Sequence, residues 1–239
     1  MPDAGGDAGA AGAGAGRLNT PFSREIEAVI LDMDGTLLDT EAIYIRSFDE
    51  TAAAMGHPLP PGFLHGLIGL PGVEFRARLR AEMGEEFPYA EHRRRYVLRR
   101  NDLLAAGMPL KPGAVELLDL LARIGLPTAV ATAATRENAE ENLRRAGLRE
   151  RFGVVLTRDD VEHSKPRPDL FLRAAEGIGI RPSLCMAVED SHNGVRAAHA
   201  AGMMTVMVPD IVPPTPEIEA LCAAVVGDLF AVGQLLQNK

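Results

Sequence analysis

Residues 28–41 read AVILDMDGTLLDTE: an apolar run, Ala28–Leu31, then Asp32 and Asp34, and at once Gly35 and Thr36. A short continuous apolar run is the mark of a buried strand. Side chains alternate along an extended chain, so if the strand simply continued, both aspartates would lie on one side with their charges close together. Two carboxylates at the end of a buried strand repel one another unless something offsets them.

Working outward, the segment from Thr40 to about Met108 reads as helical, with turns at GHPLPPG and GLPG. From Pro109 onward helical and strand patterns alternate. The helices are AVELLDLLARIG, RENAEENLRRAG, PDLFLRAAEGIG and NGVRAAHAAG; the strands are LPTAVAT, GVVLT, LCMAVED, MTVMV and AAVVGD. Short apolar strands separated by helices predict a parallel sheet covered on both faces, an α/β doubly wound core. The segment without a strand is placed as a small all-helical domain inserted after the first strand. This gives an α/β core of residues 23–39 and 109–239, a helical insertion of residues 40–108, and a disordered Gly/Ala-rich tail of residues 1–22.

Composition narrows the function classes. The chain of 239 residues is 46% apolar and 24% charged, ordinary for a soluble globular protein with its own core. Its formal net charge of -8 argues against a nucleic-acid footprint, which needs a basic face, and makes small molecules the expected partners. No run approaches the roughly 18 continuous apolar residues of a membrane span. No membrane partner is therefore expected, and a cytoplasmic location is. Cys185 and Cys222 are the only cysteines and imply no disulfide framework; Cys185, in an apolar run, reads as a small buried thiol.

In such sheets ligands bind beyond the carboxyl ends of the strands. The first end carries Asp32, Asp34, Gly35 and Thr36. The second carries Thr132 and Ala133 just before a helix whose first amides are expected to be unpaired and able to hold an anion. After the third comes HSKPRPD, whose Lys165 is one of three lysines, with Lys111 and Lys239. The fourth ends in VEDSHNG, with Glu189 and Asp190. Packed acids repel unless protonated or bridged by a cation, and an all-oxygen set suits Mg²⁺ better than a thiolate- or imidazole-seeking metal. The two aspartates of the opening stretch are accordingly expected to flank a metal ion and a phosphoryl group.

These four stretches, DMDGT, the Thr132 strand end, Lys165 in SKPRPD, and VEDSHNG, resemble in order the motifs of the haloacid dehalogenase superfamily, in the phosphatase and β-phosphoglucomutase-like branch with a helical cap after the first motif. The resemblance implies an Mg²⁺-dependent phosphatase acting on a small phosphorylated metabolite, such as a sugar or polyol phosphate, through an aspartyl-phosphate. It implies Asp32 as the nucleophile and Asp34 as the group that protonates the leaving alcohol and then activates water. Mg²⁺ would be held by the Asp32 carboxylate, the Asp34 backbone carbonyl and Asp190, with Glu189 close by. Thr132, the Ala133 amide and Lys165 would hold the phosphoryl oxygens, and Gly35 suits the tight turn after the strand.

Alternatives are weighed on single residues. Dehalogenases lack the second aspartate, which is present here as Asp34. Phosphonate-cleaving members use a cap lysine, and none occurs between Asp34 and Met108. Similar phosphomutases carry a His shortly after the first motif and an Arg in the cap loop; this chain has Tyr44 and no Arg between Arg46 and Arg76. A catalytically silent phosphate-binding or phospho-accepting regulatory protein is the alternative of another class. His192 and His199 read as a surface pair. The stretch HRRRYVLRR, His92–Arg100, reads as a solvated helix face from which an arginine could turn inward to meet an anionic substrate. A monomer or weak homodimer is expected.

Overall fold

A computed structural model describes residues 25–67, 72–105 and 107–237. The expected tail, residues 1–22, and residues 68–71 of the LIGLPG loop lie outside them.

The core is a six-stranded parallel sheet of order β3-β2-β1-β4-β5-β6. Its strands are β1 (Ala28–Leu31), β2 (Thr128–Ala131), β3 (Val154–Leu156), β4 (Cys185–Glu189), β5 (Met204–Met207) and β6 (Ala224–Val225). Each expected strand is present, the last cut to two residues. Between Thr40 and Met108 the described residues form three helices, α1 (Thr40–Ala54), α2 (Gly72–Met83) and α3 (Tyr89–Ala105), and one 3₁₀ turn. The crossover and flanking helices are α4 (Ala114–Arg123), α5 (Arg136–Arg145), α6 (Asp169–Ile178), α7 (His192–Ala200), a short α8 (Pro216–Glu219) and α9 (Leu229–Gln237). The last two are additional to the helices read from sequence.

Why these strands lack polar positions is plain from the two cores they separate. Val29 and Leu31, Val130, and Met186 and Val188 face a layer built with Leu117, Leu121 and Val232. Ala28 and Ile30, Ala129 and Ala131, and Cys185 and Ala187 face Leu170, Phe171, Ala174 and Ala197. A strand covered on both sides has no solvated face on which a polar residue could sit. The helical insertion has its own small core, in which Leu64, Leu67 and Leu79 are packed by Phe48 and Phe75.

His92 departs from the solvated-face reading of its stretch. It is buried, and its Nε2 lies 3.3 Å from the Phe48 carbonyl oxygen, because α3 turns one edge into the packing against α1. His192 and His199 do lie toward the surface, each against a backbone carbonyl, of Pro213 and Leu221. Cys185 is buried, and both cysteines are free thiols. No helix of the described residues is long and apolar enough to cross a membrane.

Candidate active site

Strand register decides which side chains meet. Leu31 is paired with Val188 across β1 and β4, so the next residues, Asp32 and Glu189, emerge side by side at the carboxyl edge. The Asp32 amide still donates to the Val188 carbonyl at 3.0 Å, which fixes Asp32 against β4. The chain then turns through Gly35, whose φ is +85°. A Cβ there would lie 2.4 Å from Asp190 Oδ2, so both the turn and the neighbouring carboxylate demand glycine.

Lys165 reaches this edge from the loop after β3. Its ammonium donates to both Asp32 and Glu189, with its side chain 5% exposed. Burial alone would favour the neutral amine, but the two carboxylates outweigh it and keep Lys165 charged. The ammonium lies over the Phe171 ring, 5.2 Å from its centroid.

Glu189 is held from its other side by the start of α7. Its Oε2 accepts from the Asp190 amide (3.1 Å), the Ser191 amide (3.2 Å) and the Ser191 hydroxyl (3.0 Å). Ser191 caps α7 by accepting from the Gly194 amide at 3.0 Å. Gly194 makes room for this: a Cβ on it would fall 1.8 Å from the Glu189 carboxyl carbon.

Asp32, Glu189 and Asp190 each offer an oxygen, and these oxygens lie within 4.8 Å of one another. Three carboxylates thus share one ammonium. The imbalance shows in their acidities. Burial first, and then Glu189 among the neighbours, push Asp32 up to about 8 against the pull of Lys165, while burial, Glu189 and Asp32 push Asp190 well above the carboxylate range. Thr36 donates to Asp190 Oδ1 at 3.3 Å.

Asp34 stands apart from this triad. Its Oδ1 accepts from the Thr40 hydroxyl at 2.8 Å, at the first turn of α1. Burial raises its pKa, and neither Thr40 nor Lys165 cancels the rise. A carboxyl with that environment holds a proton it can give up and take back.

The Thr132 end is arranged differently from the expectation. Thr132 is buried at the end of β2, the strand beside β1, and its hydroxyl accepts from the Ala134 amide at 3.1 Å. Ala133 is exposed. The helix α5, however, begins three residues later, and its first amides are engaged: Arg136 N donates to Asp159 Oδ2 at 2.8 Å and Asn138 N to the Thr135 hydroxyl at 3.3 Å. The start of α5 is thus occupied within the protein, because Asp159 has reached across from the neighbouring loop.

Residues not singled out as ligands or catalytic groups also meet here. Lys111 Nζ donates to Asp210 Oδ1 at 2.6 Å, while Asp210 Oδ2 is shielded from solvent and has no hydrogen-bond partner among the described residues. That Oδ2 lies 3.4 Å from where a Gly35 Cβ would be, so Asp210 faces the same turn as Asp190. Asp210 follows closely on the carboxyl end of β5, where the rule of inspecting strand ends would have found it. Glu41, on α1, is pushed up to about 7 by burial, then by Asp210 and Asp34, against Lys111.

A family model described as haloacid dehalogenase-like hydrolase matches residues 26–202. The chain is 34% identical over 197 residues to protein CbbY of Rhodobacter capsulatus, covering 77% of this chain and 86% of that protein. It is 30% identical over 178 residues to the phosphorylated carbohydrates phosphatase of Thermotoga maritima, covering 74% and 82%. Among solved structures, CbbY of Rhodobacter sphaeroides in complex with phosphate superposes with a TM-score of 0.68 at 32% identity, covering 87% of this chain and 96% of that one.

Proposed function

The chain belongs to the haloacid dehalogenase-like hydrolase family and is a hydrolase of the phosphatase kind, and from that premise we propose that it hydrolyses a small phosphate monoester, a sugar or polyol phosphate, with Asp32 as nucleophile, Asp34 as acid and base, and Mg²⁺ as cofactor. The observation that carries this reading is the sharing of Lys165 between Asp32 and Glu189 beside Asp190, with Asp34 held separately by Thr40.

The donor set fits the metal. It is all oxygen, its charge exceeds what one ammonium offsets, and a fourth carboxylate oxygen, Asp210 Oδ2, is buried without a donor among the described residues. Asp32, Asp190 and the Asp34 backbone carbonyl would hold Mg²⁺, with Glu189 beside it. Bound there, Mg²⁺ would supply positive charge that favours the ionised form of these carboxylates and offsets the charge of a phosphoryl group.

The chain's own groups then divide the work. A carboxylate oxygen of Asp32 forms a bond to phosphorus as the ester oxygen leaves, and Asp34 gives that oxygen its proton. Lys165, the Thr132 hydroxyl and the Ala133 amide hold the phosphoryl oxygens during the transfer. Asp34, now ionised, takes a proton from water, whose oxygen attacks phosphorus and returns Asp32 to the carboxylate. Residues 40–108 serve as the cap over this edge and residues 23–39 with 109–239 as the core. Tyr44, beside Asp34, brings a phenol kept protonated rather than an imidazole, which supports hydrolysis over return of the phosphoryl group to a sugar. The relative named a phosphorylated carbohydrates phosphatase supports the substrate class.

The test is phosphate release from a panel of sugar and polyol monophosphates, with Mg²⁺ and with chelator, by the wild type and by Asp32→Asn. Release that needs Mg²⁺ and vanishes in Asp32→Asn is expected. Retention of a tenth of the rate, a loss of only about 1.4 kcal/mol of transition-state stabilisation, would exclude Asp32 as nucleophile.

A further inference from the structure

Two core loops meet at the Gly35 turn. A Cβ on Gly35 would lie 2.4 Å from Asp190 Oδ2 and 3.4 Å from Asp210 Oδ2, which puts the two carboxylate oxygens within about 6 Å of one another, the span of a single bridging water. Asp210 is pinned in that orientation. Lys111 Nζ donates to its Oδ1 at 2.6 Å, with the Lys111 and Asp210 side chains only 18% and 12% exposed. The Lys111 backbone is fixed in turn: its amide donates to the Leu37 carbonyl at 2.9 Å and its carbonyl accepts from the Ala114 amide at 3.1 Å.

An ion pair with Lys111 accounts for Oδ1 and leaves Oδ2 unexplained. That oxygen is shielded from solvent and has no donor among the described residues, so it has lost its hydration without a hydrogen bond in return. The nearby donors are spent elsewhere. Lys165 serves Asp32 and Glu189, and the Thr36 hydroxyl serves Asp190 Oδ1. Glu41 lies close enough for the Asp210 charge to raise its pKa, yet it gives Oδ2 no hydrogen bond. What the turn lacks is a donor that arrives with the cation. Mg²⁺ held by a few protein oxygens keeps an octahedral shell completed by water, and water on a dication is a strong donor.

We propose that Asp210 is a positioning residue for the metal ion, its Oδ2 accepting a hydrogen bond from a water that Mg²⁺ retains on the Asp190 side, while Lys111 holds the carboxylate in place. The proposal rests on the phosphatase reading above. It brings the loop after β5 into a site otherwise built from the ends of β1, β2 and β4 and the loop after β3. A carboxylate that orients the groups around a metal without touching it sets how tightly the ion is held, typically by about 10–100-fold in affinity.

In the experiment Mg²⁺ is titrated into the metal-free full chain, without substrate, by calorimetry and by thermal midpoint, for wild type, Asp210→Asn and Lys111→Met. Phosphate release from glycerol phosphate by the wild type is recorded alongside. Asp210→Asn keeps the shape and an oxygen for Lys111, but turns an amide N–H toward a water that must itself donate. It should bind Mg²⁺ about tenfold or more weakly, and the Mg²⁺-induced rise in midpoint should shrink with it. Lys111→Met separates a held oxygen from charge alone. Losing a positive charge would by itself tighten Mg²⁺ binding, whereas releasing Asp210 loosens it, and binding about threefold weaker is expected. Unchanged Mg²⁺ affinity in Asp210→Asn, with only a lower metal-free midpoint, would show a structural ion pair and overturn the proposal, as would unchanged or tighter binding in Lys111→Met. Both results leave the phosphatase reading intact, since that reading stands on phosphate release by the wild type. A wild type that neither binds Mg²⁺ nor releases phosphate would overturn both.

Discussion

The ammonium of Lys165 rests on the carboxylate of Asp32, joining the loop after β3 to the end of β1 across 133 residues of chain. Lys165 is also the one cation in contact with the Asp32, Glu189 and Asp190 group among the described residues. Removing it as Lys165→Met leaves buried carboxylates unbalanced, which costs about 3–5 kcal/mol where one partner of a buried pair is deleted. The expected outcome is a loss of roughly a thousandfold in kcat, together with a lowered thermal midpoint that added Mg²⁺ partly restores. Steady-state kinetics and thermal melts with and without Mg²⁺ check both.

Asp34 separates formation of a phosphoryl-enzyme from its hydrolysis. Asp34→Ala removes the carboxyl that Thr40 holds but keeps the backbone carbonyl. A nitrophenyl ester needs little help from an acid, so the variant should still transfer its phosphoryl group to Asp32 and then stall for want of a base. A burst of about one nitrophenol per active site, followed by a slow steady state, is expected, with the adduct seen by intact mass after acid quench. Steady turnover at the wild-type rate with no adduct would remove Asp34 from that role.

Gly194 is where the packing around Glu189 is tightest. In Gly194→Ala the new Cβ would coincide with the Glu189 carboxyl group, 1.8 Å from its carbon, and Glu189 is fully buried. The variant should lose about 2–4 kcal/mol in urea denaturation, as overpacked core substitutions at the upper end do. It should also need more Mg²⁺ for half-maximal activity, because Glu189 can relieve the clash only by leaving its contacts with Lys165 and Ser191.

Glu41 carries a pH dependence whose sign is fixed by its surroundings. Its folded pKa is raised from the usual 4.5 to about 7 by burial, Asp210, Asp34 and Asp39, against Lys111. The folded protein therefore binds more protons than the unfolded chain between those values, and stability falls as pH rises through them. Glu41→Gln should remove this penalty, gaining about 1 kcal/mol at pH 8 relative to pH 5 after allowance for the residue's solvent contact. Urea midpoints of the wild type and variant at the two pH values measure it; a larger gain at pH 5 would reverse the sign.

How much of this was legible in the chain is seen best at particular residues. The run Ala28–Leu31 announced a strand buried on both faces, and its kin at residues 128–131, 185–189 and 204–207 announced a parallel sheet, because a strand covered on both sides has to be apolar throughout. The same periodicity separated the helical stretch after Thr40 from the alternating core. The C-terminal helix α9 went unread, since LFAVGQLLQ is apolar on nearly every side and only its packing against α4 distinguishes its faces. Local chemistry also marked Asp32, Asp34, Lys165, Glu189 and Asp190 as strand-end polar residues, each of which alone could have been a turn or a cap.

What the sequence by itself determined was therefore local: which segments extend or coil, and which polar residues stand at their ends. The tertiary structure decided what depends on distance across the chain. Register between β1 and β4 set Asp32 beside Glu189; Asp159 took up the Arg136 amide at the start of α5 that the sequence had left free for an anion; and α3 packed on α1 so that His92 went inside and Arg100 came to lie over Tyr44. None of these could be read from spacing, because Coulomb and hydrogen-bond energies fall off with separation in space, and residues far apart in sequence acquire that separation only when the sheet closes its register and the helices dock.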